Sequence, residues 1–116
     1  MKVEEICCYL PYKITAEVEG TGEMYPITCV TSGGYVEYYA GNNGREMATL
    51  SEIKLVLKHL SQIDKHILMR FNFVRRPTKD DDFGLFSWEF IQYCFENHFD
   101  VFGLIEKGEA VDVNSL

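Results

Sequence analysis

Three histidines (His59, His66, His98), four cysteines (Cys7, Cys8, Cys29, Cys94) and the run Asp80-Asp81-Asp82 are the side chains of this sequence best suited to chemistry. His98 and Asp100, with the aspartate run, offer the nitrogen and oxygen donors that metals take. Their spacing argues against a metal. Residues two apart on a helix point to different faces. The aspartate run also lacks the alternating ligands and central glycine of a calcium loop. His98 falls on an apolar helical stripe and is expected at the edge of the core, hydrogen-bonded to backbone. No metal or other cofactor is expected.

Nucleophilic catalysis through Cys7, Cys8 or Cys94, with one of the histidines as base, needs an electropositive and partly open site to hold a thiolate. Glu4 and Glu5 beside Cys7 work the other way, and Cys94 lies on the apolar stripe. Nor is there a Cys-x-x-Cys pair for zinc. Ser32-Gly33-Gly34 lacks the lysine and hydroxyl that grip phosphates and reads as a turn. The chain is therefore expected not to be an enzyme, unless its site is assembled from residues dispersed through the sequence. The cysteines are expected to be reduced, mostly buried thiols of a cytoplasmic protein.

Charge is the more informative pattern. The chain carries 11 basic and 18 acidic residues, −7 in all. Residues 53–79 nevertheless hold seven basic residues against Asp64 alone, a local charge of +6 that leaves −13 on the remainder. Such segregation makes a dipolar surface if the basic residues fold onto one face. Lys54, Lys58, Arg70, Arg75, Arg76 and Lys79 are the candidate binding surface. Phe71 and Phe73, interleaved with arginines, have the makings of a single-strand stacking platform. Against this, nucleic-acid-binding domains are usually basic overall. A protein partner, or a second copy docking its acidic face, is expected ahead of nucleic acid.

The elements that must position these residues read as one α+β domain over 1–116, β-rich from 6 to 76. With 47% apolar residues and sixteen aromatics, fifteen of them Phe or Tyr, a ring-packed core is expected. Tyr12, Ile14, Ala16 and Val18 alternate with polar partners as in a half-buried strand. Gly20-Thr21-Gly22-Glu23 turns the chain into a second strand over 25–31. Gly33-Gly34 leads to a third at 35–39, closed by Gly41-Asn42-Asn43-Gly44. These strands make an antiparallel meander. Residues 67–74 read as a further strand, ended by Pro77. An amphipathic helix is expected over about 87–102, with Ser87 as its N-cap and Gly103 as its stop. Trp88, Ile91, Phe95, Phe99 and Phe102 are expected to be buried on it, and a short tail follows over 103–116. The amino-terminal residues have no uninterrupted apolar run, and no stretch is long enough for a membrane span, so neither export nor membrane insertion is expected.

Three segments, about a third of the chain, resemble a family of small uncharacterised proteins of Bacteroidetes bacteria and of their phages and prophages. They are Tyr9-Leu10-Pro11-Tyr12, the stretch from Ile53-Lys54 to Leu60-Ser61-Gln62-Ile63, and the run from His98-Phe99-Asp100-Val101-Phe102-Gly103 to Leu116. The resemblance implies a phage or prophage accessory context and brings no catalytic residues. The family has glycine where this chain has Lys13, prolines at Leu55 and His59, and arginine at Lys58. Residues 50–60 alone fit a helix or a strand. Two prolines four apart would each cost about 3 kcal/mol inside a helix, so the resemblance implies an extended 53–58. That adds a fourth strand, and the expected sheet is strongly curved, of four to five strands, even barrel-like.

Overall fold

The computed structural model describes residues 1–41 and 44–116. Its centre is an antiparallel ladder in which β1 (Thr15–Val18) lies between β2 (Met24–Val30) and β5 (Ile53–Leu57). The expected alternation holds, with Ile14, Ala16 and Val18 buried while Thr15 and Glu17 are half-buried. β5 is the apolar heart of the sheet, with only Lys54 exposed. The extended conformation implied by the resemblance is the one adopted at 53–57.

Beyond β2 the sheet continues through β3 (Tyr35–Tyr39) and β4 (Arg45–Thr49). A register shift between Ile27 and Cys29 bends β2, so that its first half pairs with β1 and its second half with β3. β6 (Ala110–Asp112) adds to β5 in parallel, giving the order β4-β3-β2-β1-β5-β6. The sheet is therefore open and six-stranded, with β4 and β6 at its edges, and is not a barrel. The turn expected at Gly41-Asn42-Asn43-Gly44 contains Asn42 and Asn43, which lie outside the described residues. β4 itself was not expected: Arg45-Glu46-Met47-Ala48-Thr49 has no strong apolar alternation, and pairing with β3 extends it.

Among the described residues three α-helices flank the sheet. α1 (Val3–Cys7) buries Ile6, so the β-rich region begins later than residue 6. α2 (Lys65–Arg70) replaces the strand expected at 67–74. The Asp64 carboxylate accepts from the His66 N–H at 2.7 Å to cap its start. Asn72, at φ +62°, ends it, with Phe73 N–H bonded to Leu68 O and Asn72 N–H to Met69 O. Those two bonds form a Schellman motif, and asparagine tolerates the left-handed conformation it demands.

α3 (Trp88–Glu96) starts at Ser87, whose hydroxyl accepts from Phe90 N–H at 3.3 Å. It ends well before residue 102, in a second Schellman motif with His98 at φ +60°. Phe99 N–H reaches Cys94 O at 2.8 Å, and His98 N–H reaches Phe95 O at 3.2 Å. The apolar stripe misled the sequence reading because Phe99 and Phe102 continue the packing from a non-helical chain. Trp88, expected in the core, is exposed; Phe95 and Phe99 are buried, and Ile91 and Phe102 are half-buried.

Two of the resembling segments lock together. Tyr9, fully buried, donates its hydroxyl to Phe99 O at 2.5 Å and accepts from Val101 N–H at 3.2 Å. Its ring stands edge-on to Phe95 and Phe102. His98 Nε2 lies 2.6 Å from the Tyr12 carbonyl, the backbone bond expected of it. The third segment joins through a parallel bridge, with Lys58 N–H on His98 O and Asp100 N–H on Lys58 O. Lys13 takes φ +58° after the Leu10-Pro11-Tyr12 turn, at the position where the resembled family has glycine. No helix among the described residues is long and apolar enough to cross a membrane.

Candidate functional site

The basic residues singled out in the sequence do not form one free surface. Arg75 makes a two-pronged pair with Asp81, at 3.0 and 2.8 Å. That contact, reinforced by the Thr78 N–H, holds the Asp81 carboxyl down at about 2. Lys79 pairs with Glu106, which raises the lysine pKa. Lys58 and Arg70 lie over the rings of Phe99 and Phe71, at 5.5 and 5.4 Å. Arg76 donates its Nε to Ile63 O at 3.0 Å. Lys54 is exposed on β5 near Glu17, Glu19 and Glu52. Phe71 and Phe73 are half-buried and pack against Phe90, with Tyr93 and Phe86 beside them, so their faces are not a stacking platform.

The Arg76–Lys79 part of this segment instead forms one wall of a cleft of about 320 Å³. The turn at His59-Leu60-Ser61 and the loop after α3, with Asp100, Gly103 and Glu106, complete it. The Lys58–Phe99 bridge sets two of these walls side by side. Asp100 is buried at the floor, and its two oxygens accept from Leu104 and Ile105 N–H at 2.8 and 2.9 Å. Burial pushes its pKa up against the pull of those bonds. His59 Nδ1 accepts from Ser61 N–H at 3.2 Å, so the neutral ring carries its proton on Nε2. That nitrogen is 4.0 Å from Glu106, beyond hydrogen-bond reach. The Ser61 hydroxyl, 2.9 Å from Nδ1, belongs to this local cap.

No family model, curated protein or solved structure matches the chain. The cysteines divide by burial: Cys94 is enclosed and its thiol is pushed up to about 12, whereas Cys7 and Cys29 are exposed and Cys8 is half-buried. The expectation of mostly buried thiols therefore holds for Cys94 alone, and all four are unpaired. His66 is exposed on α2 with only its backbone N–H engaged, and His98 is committed to Tyr12. Sequence reasoning named His59 as a possible base for a cysteine nucleophile and did not single out Ser61 or Glu106. His59 adjoins Lys58 of the long-range bridge, whereas Glu106 reaches the site only through its contact with Lys79, which a linear reading does not reveal.

A second feature is the free edge of the sheet. Ala40 N–H bonds Gly44 O at 2.8 Å, and the β3–β4 register runs Tyr39↔Arg45, Tyr38↔Glu46, Glu37↔Met47. In an antiparallel ladder hydrogen-bonded and non-bonded pairs alternate. Glu46 and Ala48 therefore bond inward to β3, while the N–H and C=O groups of Arg45 and Met47 point outward. Thr49 N–H is held by Glu52 at 3.0 Å, and its carbonyl remains. Beside this edge Tyr35, Tyr39 and Met47 stand about half exposed.

Proposed function

We propose that this chain is a non-catalytic, protein-binding accessory protein that recruits its partner as an added strand on the free edge of β4. The phage or prophage context that the resemblance implies belongs to the same proposal. The outward backbone groups of Arg45 and Met47 carry it, because an unpaired strand edge is a template for another strand. Among the described residues β4 holds no proline and no lysine, and its protection is limited to its short length and the charges of Arg45 and Glu46.

The partner this edge fits is a second copy. A two-fold axis through Met47 lets each Met47 N–H meet the partner's Met47 carbonyl and each Arg45 N–H meet the partner's Thr49 carbonyl. Thr49 N–H, already held by Glu52, is not required. Met47 then lies against its counterpart on the tyrosine-flanked face. Two five-residue strands bury less than the roughly 1,200 Å² of a stable interface, so the association is weak and concentration-dependent. Nucleic acid is the less favoured partner, since most of the basic side chains already have acidic, aromatic or carbonyl partners.

Sedimentation of the full chain over rising concentration tests this, with Met47→Pro as the variant. Proline at an outward-facing edge position leaves the β3 ladder intact and removes the central donor. Dimerisation is expected for the native chain and not for Met47→Pro. Salt supplies a second readout. Two −7 chains repel, so edge pairing should strengthen as salt rises. Docking of a basic face on an acidic one should weaken. A chain that stays monomeric, or a dimer that survives Met47→Pro, overturns the proposal.

A further inference from the structure

The cleft has a chemistry independent of the β4 edge. Two of its polar groups have no acceptor among the described residues: the terminal Nη groups of Arg76 and the His59 Nε2–H. Both are held in place from behind, Arg76 through Nε on Ile63 O and His59 through Nδ1 on Ser61 N–H. The acidic residues nearby are differently placed. Asp100 is committed to the Leu104 and Ile105 N–H groups, and Glu106 to Lys79. Asp80 is exposed to water at the rim, where its charge is screened. Leu60 and Pro77 are buried in the wall and supply apolar surface.

A concave, largely apolar site with a few fixed donors, at the small end of the size range of ligand pockets, is the usual form of a small-molecule site. A guanidinium with its planar fork available pairs best with a planar carboxylate. We infer that this cleft binds a small carboxylate carried on an apolar body, held by the Arg76 fork and the His59 Nε2–H, with its chain against Leu60 and Pro77. Glu106 is an internal competitor, a carboxylate already drawn to the Lys79 and His59 side of the mouth. Its removal frees cationic surface for the ligand.

The test is an amide NMR titration of the full chain with sodium hexanoate, hexylamine and 1-hexanol in turn, at constant ionic strength. Hexanoate is expected to shift the Ser61, Lys79 and Gly103 amides saturably, and the amine and the alcohol are not. Arg76→Gln should weaken hexanoate binding about tenfold through loss of the charged fork. Because Arg76 also holds Ile63 O, His59→Phe, which keeps a ring and removes the Nε2–H donor, provides a second loss-of-binding variant. Glu106→Gln should tighten binding by about two- to fivefold, the worth of one exposed ion pair. The inference is overturned by no saturable shift with hexanoate, or by equal shifts with hexylamine or hexanol. It is equally overturned if Glu106→Gln and a folded Arg76→Gln or His59→Phe leave the affinity unchanged.

Discussion

The Tyr9 hydroxyl and the Phe99 carbonyl meet at 2.5 Å in the buried core, although 90 residues separate them. The same oxygen accepts from Val101 N–H at 3.2 Å, and that N–H also bonds Phe99 O at 2.9 Å, so the hydroxyl joins a small buried network just beyond the end of α3. A hydrogen bond of this kind contributes about 0.5–1.5 kcal/mol. Burial also pushes the Tyr9 pKa up, keeping the hydroxyl a proton donor.

Tyr9→Phe keeps the ring packing on Phe95 and Phe102 and removes only the oxygen. Its expected cost is about 0.5–1.5 kcal/mol in urea denaturation, with the slope of the transition unchanged, because Val101 N–H and Phe99 O keep each other as partners. A loss below about 0.5 kcal/mol, the scatter of neutral surface changes, would show that the clasp contributes nothing.

How far the sequence disclosed this arrangement depends on how local each signal was. The meander was legible because Ile14, Ala16 and Val18 alternate in the six residues before the glycine turn at Gly20. α2 was not, although Asp64 and Asn72 bracket it with a cap and a left-handed stop. The alternation of Met69, Phe71 and Phe73 ran across the helix end and imitated a strand. The end of α3 was hidden in the same way, because Phe99 and Phe102 are apolar at helical spacing yet lie beyond the His98 turn. The cleft was the least legible feature. His59, Lys79 and Glu106 come together only through the Lys58–Phe99 bridge and the folding back of the 76–80 loop, and no spacing along the chain encodes either. The basic segment was visible as composition, but composition does not say that Arg75 and Lys79 are neutralised by Asp81 and Glu106.

Asp100 presents two influences of opposite sign. Burial favours its protonated form and raises its pKa, whereas the Leu104 and Ile105 N–H groups, one on each oxygen, favour the carboxylate. The geometry decides what the turn requires, which is two acceptors. Asp100→Asn replaces one acceptor with a donor facing a backbone N–H, and is expected to destabilise by about 1–3 kcal/mol despite near-identical shape. Chemical denaturation near neutral pH measures it, and a neutral result would mean that a single acceptor suffices. The raised pKa has its own sign. Between the unfolded value and the higher folded one the native state holds the extra proton, so this group's contribution to stability falls as pH rises through that window.

Asp81 behaves in the opposite way. Arg75, then the Thr78 N–H, lower its pKa from 3.8 to about 2. In that window the unfolded chain binds the extra proton. The contribution is therefore complete above the unfolded pKa and is lost as pH falls through about 2. A carboxyl-carbon NMR titration should find Asp81 titrating well below the other exposed aspartates, and Arg75→Ala should return it most of the way toward 3.8. An Asp81 midpoint unmoved by Arg75→Ala would separate the two residues in solution.

Lys13 carries the clearest backbone cost on the exposed surface. It sits at φ +58° directly after the Leu10-Pro11-Tyr12 turn, between the Tyr12 carbonyl that meets His98 and the start of the central strand. A residue with a Cβ pays roughly 1–2 kcal/mol to enter the left-handed region, and glycine enters it freely. The Lys13 side chain is exposed and makes no hydrogen bond or ion pair among the described residues, so removing it forfeits little. Glycine does give the unfolded chain more freedom, which returns part of the gain. The net expectation for Lys13→Gly is stabilisation of about 0.5–1 kcal/mol, read as a higher midpoint at unchanged slope in urea. Lys13→Ala is the control, since it removes the same charge and keeps the Cβ; it should leave the midpoint nearly where it was. Equal stabilisation by alanine would assign the effect to charge, and destabilisation by glycine would show that the turn does not strain the lysine.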